Sequence, residues 1–361
     1  MPGSGALHGG ALELVRRPLL GRGRAPHHRR HRRRCVRRGH PLTAAKQNSQ
    51  LERRLHVETI LSGPGLASGA DFETLAELWT LSFGAPAPMI RNIQTLIAEP
   101  DRTVVYREDG KAVAGAYLME TALRIGDESY SAYYFFAAAT HPDYRRKGYM
   151  GQIIRYCRTL CEERDIDFLV LVPTDNDLYK YFSRFGFRAN FYLKTTQLDR
   201  EQLLAMVEKM ELPEEDTADA AGFVPVEMQA ARLAALKGGS HVAFDRQTLQ
   251  YLVFEHAYRG GKTILLENGY VLYDLSTDDT GDTVLTVREL CAADAPGRLL
   301  QKLSEVDADQ YILNLPAFDS LRGGRTSTGR AGMDLAVSKR AVKAERTMKN
   351  AYIGPAPGQD L

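Results

Sequence analysis

The feature that most constrains this chain is a basic, glycine-containing turn at residues 144–151. The apolar run before it, at residues 133–140, predicts a strand, and the pattern after it, at residues 153–161, predicts a helix. The first backbone N–H groups of a helix have no partner within the helix, and the helix dipole adds partial positive charge there. The turn therefore predicts an anion site that suits a diphosphate.

The side chains of the turn support this interpretation. Arg145, Arg146 and Lys147 add positive charge. Gly148 and Gly151 have no Cβ, so a phosphate can approach the main chain closely. An ordinary strand-to-helix link with solvated basic side chains explains the turn equally well when the turn is considered alone.

Segments on both sides of the turn occur in a recognisable order. An alanine-rich strand end precedes it at residues 137–140, and a second strand pattern follows the helix at residues 168–173. A tyrosine-rich segment comes next and ends in Gly186 and Phe187. Over roughly residues 56–200, this order resembles the GNAT superfamily of N-acetyltransferases, which implies an α/β fold with a mixed central sheet.

The turn itself is similar to the superfamily signature Arg/Gln-x-x-Gly-x-Gly/Ala, which grips the pyrophosphate of acetyl-CoA. Arg145 and Gly148 match it, whereas Met150 replaces the last small residue and Gly151 follows one position later. The resemblance implies acetyl-CoA as co-substrate. The coenzyme-binding residues that it implies are Ala138, Ala139, Thr140, Arg145, Arg146, Lys147, Gly148, Tyr149, Met150, Gly151 and Asn176.

The resemblance also implies where the thioester lies. In the superfamily the pantetheine arm enters a gap between two parallel strands, here the strands predicted near residues 135–140 and 168–173. A backbone N–H near Ala138 or Ala139 would then face the thioester carbonyl. Close packing in a buried strand is the alternative explanation for these alanines.

The proton donor departs from the superfamily pattern. A tyrosine usually stands four residues before the glycine of the Gly-Phe pair, where this chain has Phe182. Tyr181 and Tyr179 are the candidate catalytic residues, with aromatic packing as the alternative role for both. Because neighbours on a helix point about 100° apart, either the helix is shifted and Tyr181 protonates the thiolate, or water does. The candidate general bases, chosen by location, are Glu77, Glu120, Asp143 and Asp175, with a solvated surface charge as the alternative role for each.

The second half of the chain repeats sequence patterns of the first half in a weaker form. The strand pattern at residues 310–316 echoes the one at residues 168–173. Where the basic turn would fall, residues 290–297 contain Asp294 and no basic cluster. We predict a degenerate GNAT-like α/β domain without coenzyme, in a tandem that resembles the Eis-like branch of the superfamily. The alternative is that similar strands recur in any α/β fold.

Length and charge set the predicted domains. A chain of 361 residues exceeds the usual single-domain size. Residues 1–47 contain twelve Lys and Arg and one acid, a net charge of +11; because the whole chain carries +2, the remainder carries −9. The predicted domains are a disordered Arg-rich tail at residues 1–55, a GNAT domain at residues 56–200, a linker at residues 201–222 and the degenerate domain at residues 223–361.

We therefore predict a cytoplasmic N-acetyltransferase that acts on a primary amine of a small molecule or protein. The first alternative is a GNAT-fold module that binds acyl-CoA without turnover. The second is a nucleic-acid-associated protein that uses the arginine tail, which the acidic remainder disfavours. No apolar run is long enough to span a bilayer. The four cysteines form no metal-ligand pattern, so no metal is predicted.

Overall fold

Within the described residues, twelve strands form one continuous sheet. The computed structural model describes residues 62–210, 225–266, 268–293 and 296–357. The strands are β1 (Gly63–Leu66), β2 (Thr103–Glu108), β3 (Lys111–Ile125), β4 (Glu128–Thr140), β5 (Phe168–Leu171), β6 (Arg188–Asp199), β7 (His241–Ala243), β8 (Lys262–Leu266), β9 (Gly269–Thr277), β10 (Thr283–Ala292), β11 (Gln310–Pro316) and β12 (Arg325–Ala336). The predicted tail at residues 1–55, residues 211–222 of the predicted linker, and Asp294 lie outside the described residues.

Helices pack against both faces of this sheet. They are α1 (Asp71–Phe83), α2 (Ala87–Leu96), α3 (Tyr149–Glu163), α4 (Asn176–Ser183), α5 (Arg200–Val207), α6 (Pro225–Ala235), α7 (Arg246–Tyr258), α8 (Gly297–Ser304) and α9 (Lys339–Glu345). Helix α1 begins with the acidic residues Asp71 and Glu73, which suit the positive end of the helix dipole. It ends at Gly84, whose φ of 65° lets its N–H bind the Thr80 carbonyl. No helix in the described part of the chain is long and apolar enough to cross a membrane.

The strand order is β1-β2-β3-β4-β5-β12-β6-β11-β10-β9-β8, with β7 beside β3. Two neighbouring pairs are parallel, β4 with β5 and β10 with β11. The other neighbouring pairs along this order are antiparallel. The sheet is therefore mixed and the fold is α/β, as predicted for the first half of the chain.

The two halves of the chain exchange strands at the centre of this sheet. Strand β12 lies between β5 and β6, with Met333 opposite Leu171 and Gly332 opposite Phe191. Strand β6 in turn pairs with β11 on its other edge. The parallel pair β4 and β5, connected by α3, is therefore followed in the sheet by antiparallel β12 from the second half of the chain. The parallel pair β10 and β11, connected by α8, is followed by antiparallel β6 from the first half.

Alternate residues of β4 anchor two cores on opposite faces of the sheet. Tyr134 and Phe136 pack with Trp79 in the core that also contains residues of α1, α2 and α7. Tyr133 and Phe135 pack in the core that contains residues of α3 and α4. Because successive side chains of a strand point to opposite faces, one apolar run supplies both cores.

Candidate active site

The site lies where β4 and β5 separate. The two strands pair from Ala132 opposite Phe168 to Tyr134 opposite Val170. Beyond that point β4 continues to Thr140, whereas β5 ends at Leu171. The edges of both strands therefore face an open gap, at the place that the resemblance to the GNAT superfamily implied.

A bulge in β4 forms one side of the gap. Phe136 pairs with Tyr117 and Ala139 with Gly115, so β4 has one residue more than β3 over this stretch. Ala137 takes a left-handed φ of 54°, an unusual conformation for a non-glycine residue. The Trp79 indole N–H donates to the Ala137 carbonyl at 3.1 Å. This hydrogen bond holds the bulge against α1.

The gap opens into a cavity of about 170 Å³. Its lining residues are Phe83, Tyr134, Phe135, Phe136, Ala137, Ala138, Met150, Leu171, Val172, Pro173, Thr174, Leu178, Tyr181, Phe182 and Pro357. None of these described residues has a charged side chain. Their polar side-chain groups are the hydroxyls of Tyr134, Thr174 and Tyr181, of which Tyr134 donates to the Pro357 carbonyl at 3.2 Å.

The predicted anion turn adjoins this cavity, because Met150 at the start of α3 is one of its lining residues. Gly148 is the N-cap of α3, with a left-handed φ of 82°, and no side chain caps the helix. A Cβ on Gly148 would meet nothing within 4 Å. The free N–H groups of the first turn and the helix dipole therefore make this end of α3 suited to an anion.

The three basic side chains of the turn have different surroundings. The Arg145 Nε donates to the Thr140 carbonyl at 3.1 Å, which ties the turn to the end of β4. The Lys147 Nζ lies 4.6 Å from the centre of the Tyr144 ring. Arg146 is exposed and forms no ion pair or hydrogen bond within the described chain. It is therefore the basic side chain most available to an anion.

Gly151 has a packing role. A Cβ there would lie 3.1 Å from the Phe185 ring and 3.8 Å from the Tyr181 hydroxyl. Helix α3 can therefore approach α4 closely at this position. The same measurement places the Tyr181 hydroxyl beside the first turn of α3.

The two candidate proton donors, Tyr181 and Tyr179, have different surroundings. Tyr181 lines the cavity, and burial raises its pKa, while the nearby Arg155 and Arg184 oppose that rise. Its phenol is therefore protonated at neutral pH and can act as an acid. Phe182 also lines the cavity and packs edge-on against Phe135.

Tyr179 is not among the residues that line the cavity. The Arg330 guanidinium of β12 lies 4.4 Å from the centre of its ring. The same guanidinium donates to the Asn176 side-chain oxygen at 2.7 Å. Arg330, from the other half of the chain, therefore holds α4 through two predicted site residues, a contact that sequence patterns gave no means to find.

The four candidate bases lie outside the cavity. Asp175 caps α4 by accepting from the Asp177 and Leu178 N–H groups, both at 2.8 Å. Glu120 pairs with Arg102 at 3.1 Å. Glu77 and Asp143 line a separate cavity between α1 and the end of β4.

Comparison with known proteins agrees with this geometry. The acetyltransferase (GNAT) domain family matches residues 66–189. No curated protein matches the sequence. The matched residues contain the gap, the bulge and the turn, and their fold is the GNAT fold.

Solved structures extend the likeness in fold to both halves of the chain. A GCN5-related N-acetyltransferase from Anabaena variabilis has a TM-score of 0.61 at 15% identity, covering 76% of this chain and 72% of its own. Eis1 from Mycobacterium abscessus has a TM-score of 0.60 at 18% identity, covering 77% and 74%. A GCN5-related N-acetyltransferase from Kribbella flavida has a TM-score of 0.58 at 14% identity, covering 77% and 72%.

Proposed function

We propose that this protein is an acetyl-CoA-dependent N-acetyltransferase that acetylates a primary amine. The observation that carries the proposal is the juxtaposition of the gap between β4 and β5 with the uncapped end of α3. The gap suits an extended acyl-pantetheine arm, and the uncapped end of α3 suits the diphosphate of the coenzyme. Ala138, Ala139, Thr140, Asn176 and the turn from Arg145 to Gly151 remain the proposed coenzyme-binding residues.

The bulge supports a role in polarising the thioester. Ala137 and Ala138 have no partner in the register between β3 and β4. A backbone N–H of the bulge that points into the gap would stabilise the negative charge that develops on the carbonyl oxygen during attack. Small side chains at these positions leave room for the acyl group.

Tyr181 is the proposed proton donor to the departing thiolate. It is the described tyrosine that both lines the cavity and lies beside the first turn of α3. Its raised pKa keeps the proton on the phenol until the thiolate forms. Tyr179 is then a positioning residue on the same helix, because it packs beneath Arg330 instead of facing the cavity.

Mass spectrometry after incubating the full chain with acetyl-CoA and a panel of amines tests the proposal. The expected result is an acetylated amine and free coenzyme A in equal amounts. Coenzyme binding with no transfer to any amine would favour the alternative, a GNAT-fold module that binds acyl-CoA. Phe182, in place of the usual tyrosine, is the observation that supports this alternative.

The tandem arrangement and a cytoplasmic location belong to the same proposal. The parallel pair β10 and β11, joined by α8, repeats the arrangement of β4, α3 and β5. Helix α8 begins after Pro296 without a basic turn before it, and the structural likeness to Eis1 extends over both halves. A calorimetric titration should give one coenzyme site per chain; two sites would contradict a degenerate second copy.

A further inference from the structure

The cavity passes through the sheet, and its two ends differ in their surroundings. One end belongs to the face that carries α3 and α4, through Met150, Tyr181 and Phe182. The other end belongs to the face that carries α1, through Phe83, Tyr134 and Phe136. Because the anion turn begins α3, a coenzyme held there enters from the first end. The second end is left for the acceptor.

Aromatic rings dominate the acceptor end. The Tyr134 and Phe136 rings stack, with centres 5.7 Å apart and planes 7° apart. Trp79 lies behind them, 5.9 Å from Phe136 and 6.2 Å from Phe83 by ring centres. Phe83, at the end of α1, is the half-buried member of this array and lies where α1 meets the cavity.

None of the described residues that form this aromatic wall has a charged side chain. Glu77 and Asp143 line a different cavity, and the Asp175 carboxylate caps α4. An acceptor that carries a second ammonium would bring that charge into an apolar space that has no carboxylate among its described lining residues, which is unfavourable. The reacting amine itself must lose its charge before attack, and apolar surroundings favour the neutral form.

From this wall we infer that the acceptor is a primary amine carried on an aromatic or apolar group, whose ring packs against Phe83, Tyr134 and Phe136. This inference rests on the proposed acetyl transfer and narrows its substrate class. It excludes polyamines and other polycations as preferred acceptors, although the net negative charge outside the basic tail would by itself favour them.

The reaction balances with the groups named. The amine lone pair forms a bond to the thioester carbonyl carbon, and the carbon–sulfur bond breaks with its electron pair passing to sulfur. The amine nitrogen gives up one proton to water. Tyr181 protonates the thiolate and regains a proton from water, which leaves the acetamide and free coenzyme A.

Competition between two amines tests the inference. The full chain is incubated with acetyl-CoA and equal concentrations of 2-phenylethylamine and 1,4-diaminobutane, and the two acetylated products are measured by mass spectrometry. Both amines present a primary alkylamine, so the remainder of each molecule decides the result. We expect kcat/KM to be at least about tenfold higher for 2-phenylethylamine. Equal or greater acetylation of the diamine overturns the acceptor class and leaves acetyl transfer standing. No transfer to either amine, with transfer to another amine of the panel, also overturns the acceptor class, whereas no transfer to any amine overturns both proposals.

A charge placed in the aromatic wall identifies the residues responsible. Phe83→Glu should remove most of the preference for 2-phenylethylamine, because it exchanges an aromatic contact for a carboxylate. Leu81→Glu is the matched control: Leu81 is 57% exposed on the same helix and does not line the cavity. The control should keep the preference. If Phe83→Glu fails to fold, Phe83→Leu should still reduce the preference by removing the ring. An unchanged product ratio in the folded Phe83 variant overturns the placement of the acceptor.

Discussion

The Lys147 ammonium lies 3.5 Å from the Glu108 carboxylate, so an acid at the end of β2 neutralises part of the anion turn. Glu108 also accepts a hydrogen bond from the Tyr149 hydroxyl, and this bond raises the pKa of Tyr149 to about 12. Tyr149 also stacks on Tyr106 of β2, with ring centres 4.0 Å apart. The hairpin of β2 and β3 is thus coupled to the turn through two contacts made by one carboxylate.

Removal of this carboxylate should strengthen coenzyme binding. Glu108→Gln removes a negative charge that repels a diphosphate and frees Lys147 to contact it. Because these groups are partly exposed, we expect acetyl-CoA affinity by calorimetry to rise only about threefold, and less at high salt. Glu162→Gln, on α3 beside Arg158, is the control with the same change of charge. Unchanged or weaker binding for Glu108→Gln would show that Glu108 mainly orders the turn.

Reversal of charge at Arg146 should weaken coenzyme binding. Its side chain has no partner among the described residues and stands on the turn before α3, so it can bind a phosphate directly. Arg146→Glu should weaken acetyl-CoA binding about ten- to hundredfold, since a charge-assisted hydrogen bond contributes about 1.5–3 kcal/mol. The circular dichroism spectrum should not change. Arg158→Glu, farther along the same helix, should bind normally, and equal affinities for the two variants would refute a coenzyme site at the turn.

Measurement of kcat for variants of Tyr181 identifies the proton donor. Tyr181→Phe should lower kcat about ten- to hundredfold with little change in KM for acetyl-CoA, because the proton is needed only in the transition state. Tyr179→Phe should lower it less, because Tyr179 does not line the cavity. If water protonates the thiolate instead, Tyr181→Phe will be nearly silent and Phe182→Tyr will raise kcat.

Local patterns predicted much of this fold. The amphipathic pattern at residues 71–79, with acids in its first turn, predicts a helix, which is present as Asp71–Phe83. Residues 108–110 have the composition of a hairpin turn, and this turn joins β2 to β3. These elements depend on short-range periodicity and turn chemistry, with Asp109 and Gly110 both at positive φ. The second strand of the predicted gap, at residues 168–173, is present as β5.

Strand β12 and the contacts it makes were not predicted. Its first half, residues 325–330, is polar and exposed, so it has neither the alternation nor the apolar run that predicts a strand. Its place between β5 and β6 depends on pairing with residues more than 100 positions away. The contact of Arg330 with α4 and the approach of Pro357 to the cavity depend on the same long-range arrangement.

This inserted strand also buries an acid whose titration should be visible in stability. Asp334 of β12 is fully buried; its Oδ1 accepts from the Asn190 amide at 2.9 Å, and its Oδ2 has no donor among the described residues. Burial, together with the neighbouring Glu345, raises its pKa to about 8. Glu345 itself pairs with Arg188 at 3.0 Å. The folded protein therefore holds a proton on Asp334 at pH values where the unfolded chain has released it.

The sign of the effect on stability follows from that proton. A raised pKa in the folded state gives a contribution that is complete below the ordinary aspartate pKa and is lost as pH rises through about 8. Asp334→Asn cannot titrate, so the difference in unfolding free energy between the variant and the parent should shift in favour of the variant by up to about 4 kcal/mol between pH 5 and pH 9. Urea unfolding at several pH values measures this difference, with Asp127→Asn, at the exposed turn between β3 and β4, as the control. Parallel pH profiles for Asp334→Asn and the parent would mean that Asp334 is ionised throughout this range.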